Sequence, residues 1–470
     1  MFRIFLACAC CLVSYSTFAG NKIVYYFNRP VDNSVSTGKN AVYLNNCLGD
    51  TLAAYINRAR YTLDIAVYNY TATAPVGNLI ATAINNAYTR GVKIRWIYDG
   101  SQSNSGLPLL NTAINKLGSP TTSAYTIMHN KFMIVDANSS DPSDAVVWTG
   151  STNWNTQQFN YDYNNTVVIQ DSAVAHAYRA QFNMMWGDTG IVPNASLSKF
   201  GAFKTDLGNH SFIVEGKTVE VYFSPADGTN TKIVAAINSA NADMYFGMYT
   251  FTENSSSAAL VSKNSSGVYV AGIVDNATVS SSGSEYGALN SGLGAAKFKV
   301  FPGSDLYHNK YLIVDPSDKC SQPLVLTGSH NWSVSANTKN DENTVIIRND
   351  TAANIYYQSF RANFTAAGGL LPAITGCPTA AEDLDAAGIS PFVFPNPSTG
   401  KIAVQYNSVA GKATEIRICD IYGRVVSADH FIPWSSGATS WEALIDFPGI
   451  YLLQVVTADD CYTRKFIIEP

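Results

Sequence analysis

The chain has 470 residues, 46% of them hydrophobic and only 14% charged, with a net charge of −5. That length exceeds one ordinary domain, and the composition excludes a disordered polymer. The mild acidity excludes a globally basic field for nucleic acid, while leaving room for a local basic patch.

Residues 1–19 read as a signal peptide. Arg3 supplies the charged start, residues 4–13 form an apolar run too short to span a bilayer, and Thr17 and Ala19 offer small residues for cleavage after Ala19. No later stretch reads as a transmembrane helix, so an exported, soluble mature protein is expected. Residues 20–190 then alternate between helix and strand: helix 51–60, buried strand 61–70, helix 79–90 and strand 92–99. The same order returns in residues 215–365, with helix 231–240, strand 244–251, a helix from 258 and strand 268–275. Residues 187–215 connect the halves. Such alternation predicts an α/β fold made of two similar lobes packed face to face.

Residues 366–390 are rich in Ala, Gly, Pro and Asp and read as a linker. From 391 to 470, short alternating segments at 402–406, 415–419, 450–455 and 464–468 predict a small β-sandwich. It carries no catalytic cluster. Three of the eight cysteines lie in the signal peptide, and the remaining five show no metal-ligand spacing. An exported chain permits disulfides, and Cys419 with Cys461 is the first pair to test.

The chemistry lies in the repeat. His129-Asn-Lys-Phe-Met-Ile-Val-Asp136 and His308-Asn-Lys-Tyr-Leu-Ile-Val-Asp315 share six of eight residues, and each is followed by a second block, Thr149-Gly-Ser-Thr-Asn-Trp154 and Thr327-Gly-Ser-His-Asn-Trp332. On a strand over 125–136, His129 and Lys131 share a face, whereas Asp136 faces away or ends the strand. Asp136 and Asp315 are therefore expected to fix backbone or neighbouring groups. Ser151 and Asn153, like Ser329 and Asn331, again share a parity. Two halves in register predict one site with two imidazoles and two lysines. The lysines and asparagines would clamp the oxygens of a phosphodiester. One histidine would attack phosphorus, while the other protonates the leaving alcohol and then activates water. Such chemistry calls for no metal or cofactor.

HxK(x)4D followed by GSxN, present twice, resembles the signature of the phospholipase D superfamily over about residues 24–365. The resemblance implies a duplicated α/β fold forming one pseudo-two-fold catalytic unit. It also implies a phosphohistidine intermediate and a catalytic set of His129, Lys131, Asp136, His308, Lys310 and Asp315. Ser151, Asn153, Ser329 and Asn331 are the substrate-binding candidates. His129 takes the role of nucleophile and His308 that of acid. Family members often place an acidic residue some thirty positions after the histidine; here the second half has Glu342, whereas the first half has Asn164. That makes Glu342 an orienting residue and the site electrostatically asymmetric. His330 stands where the first half has Thr152 and reads as a local substitution. Tyr68 and Tyr249 occupy matching positions that would line the mouth.

Phe394-Pro-Asn-Pro-Ser-Thr-Gly400, Asp420-Ile-Tyr-Gly-Arg424 and Gly449-Ile-Tyr-Leu-Leu-Gln-Val455 resemble the type A sorting domain of bacterial type IX secretion. This implies passage to the outside or outer cell surface by that secretion machinery, with no stable partner otherwise. The expected function is a secreted phospholipase D-type phosphodiesterase acting on phospholipid headgroups, with transient contact to a membrane surface. The alternative is an endonuclease using the same groups on DNA or RNA. A third class, a non-catalytic binding protein, is disfavoured by the intact motifs.

Overall fold

The computed structural model describes residues 21–122, 126–318, 321–372, 392–408, 414–420, 424–431, 437–457 and 461–469. The signal peptide and most of the linker read from the sequence lie outside them. The chain divides into two compact units, Met1–Ile374 and Thr375–Pro470.

In the first lobe the elements run β1 (Ile23–Phe27), β2 (Val42–Tyr43), α1 (Leu48–Arg58), β3 (Thr62–Val67), α2 (Val76–Thr89) and β4 (Lys93–Tyr98). They continue with β5 (Asn115–Gly118), β6 (Lys131–Val135), β7 (Val146–Gly150), α3 (Thr156–Asn160), β8 (Asn165–Ile169) and α4 (Ser172–Trp186). The second lobe opens with β9 (Ser211–Val214), β10 (Lys217–Ser224), α5 (Thr229–Asn238), β11 (Asp243–Met248), α6 (Asn254–Ser265) and β12 (Tyr269–Asp275). It closes with α7 (Tyr286–Leu293), β13 (Phe298–Phe301), β14 (Lys310–Val314), β15 (Leu324–Gly328), α8 (Val334–Thr338), β16 (Glu342–Arg348) and α9 (Asp350–Ala366).

Each lobe builds one eight-stranded sheet, in the orders β5-β4-β3-β6-β7-β8-β1-β2 and β13-β12-β11-β14-β15-β16-β10-β9. Position by position the two orders match, so the duplication seen in the sequence is a duplication of topology. Only the last strand differs, since β2 runs parallel to β1 and β9 antiparallel to β10.

Alternation along the strands feeds three cores. Met133 and Val135 of β6 pack with Leu52 and Ile56 of α1 and Ile80 and Ile84 of α2. Met244 and Met248 of β11 pack with Ile233 and Ile237 of α5 and Leu260 of α6. The opposite faces meet in a shared core, where Phe132, Ile134, Tyr178 and Phe182 of one lobe join Tyr245, Ile313, Tyr356 and Phe360 of the other. Each fully buried side chain of this size contributes roughly 1.5–3 kcal/mol. The shared core is thus what holds the halves together. Among the described residues no helix is long and apolar enough to cross a membrane.

Asp136 and Asp315 sit just after β6 and β14 with left-handed φ of 48° and 50°. Asp136 accepts from the main-chain N–H groups of Arg60, Tyr61 and Thr62, each at 2.8 Å. Asp315 accepts likewise from Asn241, Ala242 and Asp243 at 2.9–3.1 Å. The carboxylates therefore nail down the entries to β3 and β11. This matches the parity reading, and it places neither aspartate among the groups offered to a substrate.

The second unit has a three-stranded sheet, β17 (Phe392–Phe394), β18 (Lys401–Ser408) and β21 (Gly437–Leu444). Facing it is a four-stranded sheet of β20 (Val425–Phe431), β19 (Thr414–Asp420), β22 (Gly449–Thr457) and β23 (Cys461–Ile468). Val393, Ile402 and Val404 of the first sheet pack on Ile416, Leu453 and Phe466 of the second, which is the core of a sandwich. The Cys419–Cys461 pairing is ruled out. Cys419 lies across from Leu452 and Cys461 across from Val456, on opposite sides of β22 and four residues apart. That is about 13 Å along the strand, beyond disulfide reach. Cys419 is a free thiol.

Replacing Asp136 by Ala orphans three main-chain donors and removes the restraint on a left-handed residue. The expected cost is about 3 kcal/mol, read as a lower urea midpoint at unchanged slope; an unmoved midpoint would refute the anchoring role.

Candidate active site

The strand anticipated over 125–136 begins only at Lys131. The chain just before it turns to the other lobe. Met128 bridges Asp341, the His129 N–H donates to the Asp341 carbonyl at 2.9 Å, and the Asp341 N–H donates to the Ile127 carbonyl at 3.0 Å. On the pseudo-symmetric side the Tyr163 N–H donates to the Leu306 carbonyl at 2.8 Å. Asp99, at the end of β4, receives the Met128 N–H at 2.6 Å, and Asp275, ending β12, receives that of Tyr307 at 2.5 Å. Each histidine is thus delivered by a segment gripped from both sides.

The imidazoles are oriented across the lobe boundary. His129 Nδ1 lies 2.8 and 2.9 Å from the two carboxylate oxygens of Glu342, and His308 Nδ1 lies 3.1 Å from Asn164 Oδ1. Neither histidine is oriented by the residue of its own half. Ser329 Oγ donates to Glu342 at 2.6 Å and Ser151 Oγ to Asn164 at 2.7 Å. The two serine protons are therefore engaged in seating these partners. An ionised carboxylate only accepts, so His129 Nδ1 carries the proton and Nε2 presents its lone pair. Asn164 donates its amide to the Gln158 carbonyl at 2.9 Å, which turns its oxygen toward His308.

The lysines follow the same symmetry. Lys131 Nζ donates to the His129 carbonyl and Lys310 Nζ to the His308 carbonyl, both at 2.7 Å. Each ammonium has two donors left for an incoming anion. Tyr68 lies under Lys131 at 5.2 Å and beside the His129 ring at 4.9 Å; Tyr249 repeats this with Lys310 at 5.0 Å and His308 at 4.8 Å. These contacts place both tyrosines against the catalytic candidates, in cation–π geometry. Asn153 Oδ1 is buried without a hydrogen-bond partner among the described residues, whereas Asn331 Oδ1 accepts from the Thr250 N–H at 3.3 Å. His330 is buried beside Glu342's field, and neither ring nitrogen has a well-formed hydrogen bond among the described residues.

Burial dominates the electrostatics. It drives His129 down to about 4, with Glu342 pulling against it and the lysines adding to the depression. Burial and both lysine charges push His308 well below its usual value. Lys131 falls to about 7 by desolvation, and the same burial, with the charge of Lys131, holds Lys310 well below the ordinary lysine value. Glu342 stays below the usual glutamate value: burial raises it, but His129 and Lys131 more than offset that. The resting site is thus a carboxylate facing neutral imidazoles, poised to take up negative charge.

Sequence reading missed an interlobe asparagine network. Asn165 donates to Asn309 at 2.8 Å and Asn343 to Asn130 at 3.1 Å. Thr327 and Thr149 cap the same amides at 2.6 Å, with Tyr356 and Tyr178 beside them. All of these residues, and Asp99 with Asp275, recur in both halves, so the repeat itself carried the signal.

Comparison with known proteins fits this geometry. The model of a family described as cardiolipin synthase, PLD-like domain, matches residues 52–186 and again 233–364. A secretion system C-terminal sorting domain model matches residues 392–469. The chain is 30% identical over 146 residues to mitochondrial cardiolipin hydrolase of Drosophila melanogaster, covering 28% of this chain and 55% of that protein. It is 28% identical over 142 residues to phospholipase D of Rickettsia prowazekii, covering 30% and 65%. The matches thus span about half to two thirds of those relatives. Among solved structures, phosphatidylserine synthase of Haemophilus influenzae superposes with a TM-score of 0.52 at 12% identity, covering 73% of this chain and 86% of that one. It shares the fold.

Two buried neutral imidazoles make stability depend on pH. The folded protein binds fewer protons than the unfolded chain between the ordinary value of 6.5 and about 4 for His129, with His308 shifted the same way. The imidazole contribution to stability is therefore full above pH 6.5 and is lost on acidification toward about 4. Urea titrations between pH 7 and pH 4 are expected to show this decline, and His129→Gln with His308→Gln to flatten it.

Proposed function

Because this chain belongs to the family of cardiolipin synthase, PLD-like domains, matched in both of its halves, we propose that it hydrolyses phospholipid headgroup phosphodiesters through a phosphohistidine. The observation that carries the reading is the carboxylate of Glu342 on His129 Nδ1, against a neutral amide on His308 Nδ1. His129 Nε2 attacks phosphorus, and the bond to the leaving alkoxide breaks as His308 delivers its proton. Glu342 holds the His129 Nδ1 proton and balances the positive charge that develops on the phosphorylated ring. Asn164 gives His308 no such ion pair, so its imidazolium is the readier acid. His308, now neutral, takes a proton from water; the hydroxide attacks phosphorus, the P–N bond breaks and His129 is regenerated. An alcohol in place of water yields a transphosphatidylated lipid by the same step.

Lys131 and Lys310 clamp the non-bridging oxygens with Asn153 and Asn331. The phosphate charge in turn pulls both lysines back to ammonium and favours protonation of His308. Lipid is favoured over nucleic acid because the net charge is −5 and the relatives carry lipid-directed names. The C-terminal sorting domain marks a secreted or cell-surface protein. We assign its export to the type IX machinery, after removal of residues 1–19.

The test incubates purified protein, in chelator, with headgroup-labelled phosphatidylcholine or cardiolipin vesicles and, separately, with DNA. Headgroup release without nicking supports the proposal; nicking without release overturns it in favour of the nuclease. His129→Ala and His308→Ala are each expected to lower turnover by at least about 10³-fold, since either removes one end of the displacement. Glu342→Gln can still accept the Nδ1–H through its amide oxygen, as Asn164 does for His308, but it removes the negative charge that balances the phosphorylated ring. An expected loss of about 10²- to 10⁴-fold in kcat, at little change in KM, checks Glu342's role.

A further inference from the structure

Lys204 belongs to the segment joining the lobes, outside every motif. Its ammonium is fully buried, 2.9 Å from Asp341 Oδ1 and 2.6 Å from the Ser224 carbonyl. The Gly201 N–H donates to the same Asp341 oxygen at 2.8 Å. Asp341 is itself fully buried, and burial raises its carboxyl while Lys204 opposes that. A lone carboxylate is costly there, so the pair stands or falls together.

Two hydrogen bonds of Asp341, and one of the residue after it, link this pair to the His129 side. The Asp341 carbonyl receives the His129 N–H, the Asp341 N–H binds the Ile127 carbonyl, and the next residue, Glu342, holds the His129 ring. The equivalent residue on the His308 side is Tyr163, which is uncharged and packs on Phe301 at 4.4 Å and beneath Arg29 at 4.7 Å. On the His308 side the neighbouring carboxylate, Asp162, accepts the Leu306 N–H at 3.0 Å, and among the described residues no buried lysine pairs with it, so the lysine–aspartate pair belongs to the His129 side.

Resting on the assignment of His129 as nucleophile, we propose that Lys204 is a positioning residue for the His129 imidazole, acting through Asp341. The ammonium fixes the Asp341 side chain, and with it the main chain that carries both the His129 hydrogen bond and Glu342. Loss of that anchor misaligns Nε2 with phosphorus without removing any group that touches substrate.

The experiment compares wild type, Lys204→Met, Lys204→Met/Asp341→Asn and, as control, Lys199→Met at an exposed site on the same segment. Kinetics use bis(p-nitrophenyl) phosphate, and ¹⁵N-histidine NMR follows the His129 ring in the absence of any substrate. Lys204→Met is expected to lower kcat about 10- to 100-fold, the range seen when outer hydrogen-bond partners are removed, with KM within about twofold and a shifted His129 Nδ1–H resonance. The double variant removes the unpaired charge, so it is expected to melt near wild type yet stay slow. That keeps the question open to test if the single variant fails to fold. A double variant with wild-type kcat and an unmoved His129 resonance would overturn the proposal, leaving Lys204 a purely structural ion pair. Should wild type itself turn over nothing, the catalytic reading falls, while the His129 resonance still decides whether Lys204 positions the ring.

Discussion

The contact between His129 Nδ1 and the Glu342 carboxylate joins residues 213 positions apart in sequence and on opposite lobes. Its physics organises the site. A buried carboxylate needs donors, and it finds them in the His129 imidazole, the Ser329 hydroxyl and, at 3.5 Å, the Asn340 amide. Because an ionised carboxylate can only accept, the tautomer of His129 is fixed and its reactive nitrogen is bare. His308 and Asn164 make the reciprocal contact with a neutral acceptor. Neither lobe holds a complete site by itself, so the shared hydrophobic core that clamps the sheets together is also what assembles the chemistry.

Desolvation sets the charge state in that clamp. Two imidazoles and two lysines lie buried within electrostatic reach of one another, and burial moves all four toward neutrality. This is costly for the resting protein. It is useful to a phosphodiester, whose charge restores the ammonium groups at the moment of binding, in a medium where each such interaction is strong. Binding energy and protonation are thereby coupled, which suits the proposed mechanism, where the bound anion favours the protonated His308 that must serve as acid.

Duplication supplies symmetric scaffolding, and substitutions around the histidines break it. Asp99 with Asp275, Asp136 with Asp315, Asn130 with Asn309 and Asn165 with Asn343 do equivalent work in the two lobes. Asn164 against Glu342, Tyr163 against Asp341 and Thr152 against His330 do not match. All three differences lie close around the histidines. The proposed displacement, with a nucleophile on one side of phosphorus and an acid on the other, needs unequal partners, and Glu342 against Asn164 provides that inequality at the imidazoles themselves.

Much of this was legible in the chain. Period-two and helical hydrophobic spacing located the repeated helices and strands of both lobes, because burial on one or both faces leaves that pattern in the residues themselves. The paired motifs singled out His129, Lys131, His308 and Lys310 as candidates, which the fold buries together, and side-chain parity turned Asp136 and Asp315 toward the main chain that they hold. The strand over 125–136 was itself drawn too long, because at residues 127–129 the hydrogen bonds go to the other lobe, yet Tyr68 still meets both His129 and Lys131. The Cys419–Cys461 guess failed for a related reason, since strand order puts β22 between them. Local pattern reports which face of an element is buried, and so it determined the lobes and the chemical inventory. Which lobe orients which imidazole, and that Lys204 lies beneath Asp341, depends on contacts between residues far apart in sequence, and only the packing of one lobe on the other decided them.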